Sequence, residues 1–379
     1  MDFRFNEEQD ELRAMARSFL EENSNSEAIR RAMDSELGWD PELWGQLARE
    51  LGWAAVHIPE AYGGLGLGHV ELIALMEIMG EHLTCAPFLS STVLSTNLIL
   101  EAGHEAQKEA LLPALAEGES RASLAFAHRK GGAGPEDITA TVERSGDGYR
   151  IEAEYGFVVD GHSADQLIVA ARTPGSQGLD GISLFLVPGD SDGMVRRALP
   201  TMDQTRRLAE VDLPGVVVPA EALLGEWESG GQALLRSLQL SAIALAAEQV
   251  GGAQACLDMS VQYATEREQF GRAIGSFQAI KHKCADMMVW VESARSAVYY
   301  AACAANEGGE ELSACAALAK AYCSDAYFQC AGEAIQIHGG VGFTWEYDVH
   351  LHFKRARSSE HLLGDPPYHR ERVAREIGL

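Results

Sequence analysis

Arg267 and Phe270 stand three residues apart in the run Tyr263-Ala264-Thr265-Glu266-Arg267-Glu268-Gln269-Phe270-Gly271, and Phe277-Gln278 follows shortly after. A guanidinium can offer two parallel charge-assisted hydrogen bonds to a dianionic pyrophosphate. Phe270, on the same helical face or the turn after it, offers a flat apolar surface to a ring. A second run, Gln336-Ile337-His338-Gly339-Gly340, ends in two glycines whose N–H groups can approach phosphate with no Cβ in the way. Gln278 and Gln336 can add polar contacts. On spacing alone each feature has a simpler account. Arg267 can pair with Glu266 or Glu268, Gly339-Gly340 can close a helix through Ile335 and Ile337, and His338 can fill space at a helix end. Two basic groups, Lys354-Arg355-Arg357 and Arg129-Lys130, could likewise meet phosphates or simply be solvated.

The elements that must position these residues fall into three zones. The chain has 379 residues, which predicts two or three packed units. The first zone, 1–117, reads as helices. Asn6 followed by Glu7 and Glu8 caps a helix with Leu12, Met15, Phe19 and Leu20 on one side, and Pro41 begins another with Leu43, Leu47 and Leu51 at helical spacing. The glycine-rich stretch His57–Gly68 lacks the G-x-G-x-x-G spacing and a β-α-β context, so it reads as a tight turn between helices. The second zone, 118–224, changes period. Ile138–Val142 leads to the hairpin signal Gly146-Asp147-Gly148, and Phe157–Val159, Leu167–Ala171 and Ile182–Val187 read as further short strands of a small β-barrel or sandwich. The third zone, 225–379, is alanine-rich. Segments 231–264, 276–306 and 311–338 are long enough for a four-helix-type bundle, with Gly308-Gly309 dividing the last two.

Composition narrows the partners. With 30 Lys plus Arg against 56 Asp plus Glu, the net charge is −26, which repels nucleic acid and anionic membrane surfaces. An anionic ligand must therefore be met by local cations. Seven scattered cysteines without a Cys-x-x-Cys pair argue against a zinc knuckle or a disulfide scaffold, and no metal site is expected. Met1–Asp10 is polar and acidic, not a signal peptide, and no apolar run reaches membrane-spanning length. The expectation is a soluble cytoplasmic protein.

The two runs above resemble the C-terminal domain of acyl-CoA dehydrogenases. So do Pro59-Glu60-Ala61-Tyr62-Gly63-Gly64-Leu65-Gly66 near the N-terminus, and Val187-Pro188 with the later Gly225. The resemblance covers nearly the whole chain. It implies an α+β fold of an N-terminal helical domain, a middle small β-barrel domain and a C-terminal four-helix bundle. It also implies FAD as cofactor and an acyl-CoA thioester as substrate. Arg267, Phe270, Phe277, Gln278, Gln336, Ile337, His338, Gly339 and Gly340 would then hold the adenine and pyrophosphate end of FAD across a subunit interface. The family reaction removes an α-proton to a carboxylate while the β-hydrogen leaves as hydride to the flavin.

That carboxylate is missing where the resemblance places it. The matching stretch is Leu362-Leu363-Gly364-Asp365, so Leu363 stands at the position of the base; the alternative position on the first bundle helix is Ser241. The segment that cradles the chain's own flavin reads Ala127–Gly134, without the family's hydroxyl and carboxylate side chains, and Phe157-Val158-Val159 replaces a Trp-x-Thr. An eroded ring pocket beside an intact arm implies a heteromer. In this reading the chain completes the FAD site of a homologous, base-bearing partner, as in the acyl-CoA dehydrogenases of steroid side-chain degradation. An electron-transferring flavoprotein is the implied acceptor. Two alternatives stay open: a self-sufficient enzyme using Glu360, His361 or Asp365 as a relocated base, or a flavin monooxygenase or nitroalkane oxidase on the same fold.

Overall fold

The computed structural model describes residues 6–379. The first half of the Met1–Asp10 reading therefore lies outside the described residues. The chain divides into two compact units. One contains the chain up to Arg31, His69–Thr84 and Ala242–Leu379; the other contains Ala32–Gly68 and Cys85–Ser241.

In the first unit, α1 (Glu7–Asn23) begins on Asn6, whose side chain accepts from the Gln9 N–H while Gln9 returns a bond to the Asn6 N–H. This reciprocal cap satisfies two otherwise orphaned donors. The buried stripe of α1 is Ala16 and Leu20; Met15, expected beside them, is 63% exposed. α2 (Ser26–Asp34) follows and leads into the second unit, where α3 (Pro41–Gly45) is capped by Asp40. Beyond Gly45 the helix widens into a π turn over Gln46–Glu50. Leu43 and Leu47 are buried, but the wider turn rotates Leu51 out to the surface.

Next comes α4 (His69–Glu81). Arg13 and Arg17 of α1 bond Glu77 at 2.9 Å and Glu81 at 2.8 Å. After the second unit the chain returns along α7 (Gly230–Glu266), α8 (Gln278–Glu307), α9 (Leu312–His338), α10 (Val349–His361) and α11 (Pro366–Glu376). Gly308 closes α8 at φ +67°, where its N–H bonds the Ala304 carbonyl. The helices α4 and α7 meet backbone to backbone. A Cβ on Gly80 would lie 2.0 Å from the Glu248 carbonyl oxygen, and one on Gly251 would lie 1.7 Å from that of Glu77. Cys256, Met287, Val291, Tyr327, Cys330 and Ile335 fill the space between α7, α8 and α9.

In the second unit α5 (Thr96–Ala102) and α6 (Glu105–Ala116) precede the strands β1 (Ala122–Ala125), β2 (Thr141–Ser145), β3 (Gly148–Val159), β4 (Gln166–Arg172), β5 (Ile182–Pro188), β6 (Val195–Ala198), β7 (Leu208–Pro219) and β8 (Leu223–Leu224). Their order is β6-β7-β3-β2-β4-β5-β8, with β1 parallel to β4. The expected hairpin is present: Ser145 faces Gly148 across Gly146-Asp147, with Gly146 at φ +59°. The sequence reading did not include β1, β6 or β7, although β7 is the long partner of β3. In the His57–Gly68 turn, a Cβ on Gly64 would lie 1.9 Å from the Ile58 carbonyl oxygen. That glycine serves close packing. All seven cysteines are free. Among the described residues no helix is long and apolar enough to cross a membrane.

Candidate cofactor arm and the turn at position 363

At the end of α7 the chain makes a short hairpin. Glu268-Gln269 pairs with Arg272-Ala273, and the two turn residues, Phe270 and Gly271, sit at φ +55° and +77°. Two successive positive φ values define a type I′ turn, a conformation that favours Asn or Gly at its first central position. A phenylalanine there is strained, and Phe270 is 92% exposed. Its ring meets Phe277 edge-on at 6.1 Å, and the Arg272 guanidinium lies 4.0 Å above Phe277.

This hairpin borders a cleft of about 380 Å³, within the usual range for small-ligand sites. Five of the nine predicted cofactor residues line it: Arg267, Phe270, Phe277, Ile337 and His338. Arg267 makes no ion pair with Glu266 or Glu268; Glu266 instead accepts the Gln262 amide at 3.0 Å. The ion-pair account of Arg267 is thus not realised, and a cation stands on an open cleft. Gly339 closes α9 at φ +64°. Gly340 has ordinary backbone, and a Cβ there would meet nothing within 4 Å. Nothing among the described residues requires that second glycine. Both glycines are exposed just beyond the lining residue His338.

Gln278 and Gln336 do not line the cleft. Gln278 opens α8 and reaches along its own helix to His282 at 3.4 Å. Gln336 lies about 100° around α9 from Ile337 and points to solvent. The sequence motif contained Tyr263 without a role. Its ring stacks on His338 at 4.4 Å, a contact between different helices that no local spacing signals.

Replacing Phe270 with glycine tests the strain at the hairpin. The chain is expected to gain about 1 kcal/mol in thermal or urea unfolding. An unchanged melting curve would contradict the strain argument.

Leu363 occupies a second strained position, at φ +60°, followed by Gly364 at φ +99°. The turn around it is held from beneath. Lys320, fully buried on α9, donates to Ser324 Oγ at 2.9 Å and to the carbonyls of Glu360 and Gly364, each at 3.1 Å. His369 Nε2 donates to the Leu363 carbonyl at 2.9 Å. Three carbonyls of one turn are thus captured by two buried basic side chains. Burial lowers Lys320 to about 7 and His369 to about 4. The neighbouring acids are committed elsewhere. Glu360 pairs with Arg357 at 2.6 Å, and Asp365 caps α11 by accepting the Tyr368 N–H at 2.9 Å. His361 is exposed at the end of α10.

Lys320 carries a pH signature. Its folded pKa lies below its unfolded value, so the unfolded chain holds the extra proton between about pH 7 and pH 10.5. Stability therefore rises with pH across that window, at up to about 1.4 kcal/mol per unit. Thermal melts of Lys320→Met against the parent protein are expected to show the parent gaining relative to the variant from pH 7 to pH 10. Parallel curves would refute the lowered pKa of Lys320.

Ser241, the alternative base position, is fully buried on α7. It donates to the Ser237 carbonyl at 2.7 Å and faces the Asn97 amide at 3.4 Å. In the second unit Arg129 pairs with Asp212 and with Glu154 at 3.4 Å. It is a sheet-face ion pair, not a free phosphate ligand. Val159 is buried, whereas Phe157 is half-exposed on a bulge at φ +56°. The group Lys354-Arg355-Arg357 is not one cationic face. Arg355 is buried against Glu248 at 3.0 Å, Lys354 lies 5.0 Å from the Trp345 ring, and Arg357 holds Glu360. Helical rotation sends the three side chains to different neighbours.

Comparison with known proteins places this geometry. The family model for the acyl-CoA dehydrogenase N-terminal domain matches residues 6–119, and that for the C-terminal domain matches residues 228–378. The chain belongs to the acyl-CoA dehydrogenase family. It is 36% identical to acyl-CoA dehydrogenase IpdE2 of Mycolicibacterium smegmatis, over 98% of this chain and 99% of that protein. The ChsE4-ChsE5 complex of Mycobacterium tuberculosis contains a chain that superposes with a TM-score of 0.90 at 28% identity, covering 100% of this chain and 99% of that one. The Tcur3481-Tcur3483 steroid ACAD gives 0.86 at 30% identity, covering 98% of each. The fold is therefore that of the family: an N-terminal helical domain, a middle β domain and a C-terminal helical domain. The protein is an oxidoreductase acting on CH–CH bonds, with FAD as its cofactor.

Proposed function

We propose that this chain is one subunit of a heteromeric acyl-CoA dehydrogenase. It completes the FAD site of a homologous, base-bearing partner and supplies no proton-abstracting carboxylate of its own. The observation that carries this reading is the pairing of an unengaged Arg267 on an open cleft with a leucine at position 363. Bound FAD would accept the β-hydride. Arg267 would hold the pyrophosphate by paired hydrogen bonds, Phe270 and Phe277 would cover a ring, and the N–H groups of Gly339 and Gly340 would approach phosphate. Leu363 cannot accept a proton, and its acidic neighbours Glu360 and Asp365 are held in an ion pair and a helix cap.

Two relatives support the finer points. A solved complex of two different chains, ChsE4-ChsE5, favours the heteromer. The steroid ACAD favours a steroid side-chain thioester as the acyl group. An electron-transferring flavoprotein is the acceptor in this reading, and the seven free thiols suit a cytoplasmic location. Co-expression with a homologue that keeps the family's Glu-Gly-Thr segment tests the assignment. A stable mixed complex with acyl-CoA dehydrogenase activity is expected, and failure of the two chains to co-purify would contradict it.

A further inference from the structure

We propose that a second cleft, where the ends of α1 and α4 meet the start of α2 and the facing stretches of α7 and α10, binds a linear aliphatic polyamine. It shares no lining residue with the cofactor cleft, so it stands or falls separately from the subunit reading above.

The cleft measures about 340 Å³, and every residue that lines it belongs to the first compact unit. Its one guanidinium, Arg17, is closed on Glu81 by two hydrogen bonds of 2.9 and 2.8 Å. Asp348 is likewise taken, by Arg30 and by the Ser26 hydroxyl at 2.9 Å. No cation of the lining is left over for an anionic ligand. Glu21 and Asp258, in contrast, make no ion pair among the described residues; Asp258 accepts the neutral Gln254 amide at 2.8 Å. Two carboxylates on one cleft thus lack a counter-charge.

The hydrogen-bond inventory points the same way. Donors of the lining are spent inside the chain: the Ser24 hydroxyl on the His82 carbonyl at 3.2 Å, and the Gln262 amide on Glu266 at 3.0 Å. Acceptors remain in the Glu21 and Asp258 carboxylates and the Gln262 side-chain carbonyl. The deepest acceptor is His352, which lines the cleft although it is only 4% exposed. Its Nδ1 lies 3.0 Å from the Tyr327 hydroxyl, and its Nε2 has no hydrogen-bond partner among the described residues. Burial lowers its pKa to about 3, so the ring is neutral at pH 7. A phenol oxygen accepts as well as it donates, so an Nδ1–H bonded to Tyr327 leaves the Nε2 lone pair toward the cleft.

Uncompensated negative charge and surplus acceptors call for a cation rich in N–H donors. Ile29, Leu83, Ala255 and Met259 add an apolar wall, which favours methylene groups over a hydrated ion. No group of three His, Cys, Asp or Glu side chains among the described residues is placed to hold a metal ion. Ammonium groups joined by short methylene chains satisfy both walls at once.

Calorimetry of spermidine into the full-length protein tests the site. One spermidine per chain is expected, with the monoamine n-butylamine at least about tenfold weaker. Glu21→Gln and Asp258→Asn, both at exposed positions where folding is undisturbed, should each weaken spermidine about tenfold. Ala255→Trp fills the apolar wall without changing charge and should abolish binding. Glu310→Gln, in the turn between α8 and α9 and outside the cleft, removes the same charge and should change nothing. A chain of net charge −26 also attracts cations without a site. Several weak sites insensitive to these cleft variants, or equal displacement of spermidine by Mg²⁺, would show that attraction alone and overturn the proposal. So would the absence of spermidine binding.

Discussion

Arg267→Ala is expected to strip flavin from the proposed assembled enzyme. The guanidinium stands on the cleft without an internal partner, so its removal takes away a ligand contact and leaves no orphaned acid behind. Each hydrogen bond to a charged group contributes about 1.5–3 kcal/mol, and a bidentate pair supplies two. FAD affinity should therefore fall by about two orders of magnitude or more, while the melting temperature of the apoprotein stays within a degree or two. Arg267→Lys should fall between, because an ammonium keeps the charge and loses the fork. Flavin absorbance retained on a desalting column measures the loss. Unchanged flavin content in Arg267→Ala would assign the chain a scaffolding role instead.

In the proposed heteromer, turnover is expected to depend wholly on the partner's carboxylate. Replacing that glutamate by glutamine is expected to lower acyl-CoA dehydrogenation by about 10²–10⁴-fold, the usual contribution of a positioned general base. In this reading the chain offers no substitute. Leu363 has no ionisable group, Ser241 is buried and hydrogen-bonded, Glu360 holds Arg357, and Asp365 caps α11. Residual activity near half of the parent value would mean that a second base works in this chain. Glu360→Gln and Asp365→Asn made beside the partner variant would then identify it.

What the sequence made legible follows from how local each signal is. The Asn6 cap, the Gly146-Asp147 hairpin and the three long alanine-rich helices depend on neighbours a few residues apart, and all are present. The strand Leu208–Pro219 was not legible. Two prolines and a glycine punctuate it, and its pairing with β3 joins residues about fifty to seventy positions apart in the chain. Arg355 looked like part of a surface cluster because its partner, Glu248, is 107 residues away. The arm showed the same division. Arg267 and Phe270 were singled out by the resemblance of their run and both line the cleft, although Phe270 lies in a strained turn and not on the helix. The Tyr263–His338 stack joins the ends of two helices and needed the fold. Lys320 gave no signal at all, since a lysine in a helical run reads as surface until the carbonyls it captures are in place.

The strained turns share a physical logic. Phe270 and Leu363 both hold left-handed backbone that a side chain disfavours by about 1 kcal/mol or more. At 363 the conformation is enforced by Lys320 and His369, so the frame persists around a residue that cannot perform the family's proton transfer. At 270 the ring touches only the edge of Phe277 among the described residues and is otherwise exposed. In the proposed reading the first is a retained frame without its base, and the second is a surface for a ligand or neighbour.

Flavin content and turnover of the chain purified alone test this account most directly. Absorbance near the flavin maximum against protein concentration, with acyl-CoA oxidation measured on the same sample, gives both quantities. The predicted result is a colourless or weakly coloured protein without turnover, which becomes yellow and active only when co-purified with a base-bearing homologue. One FAD per chain together with acyl-CoA oxidation by this chain alone would contradict it.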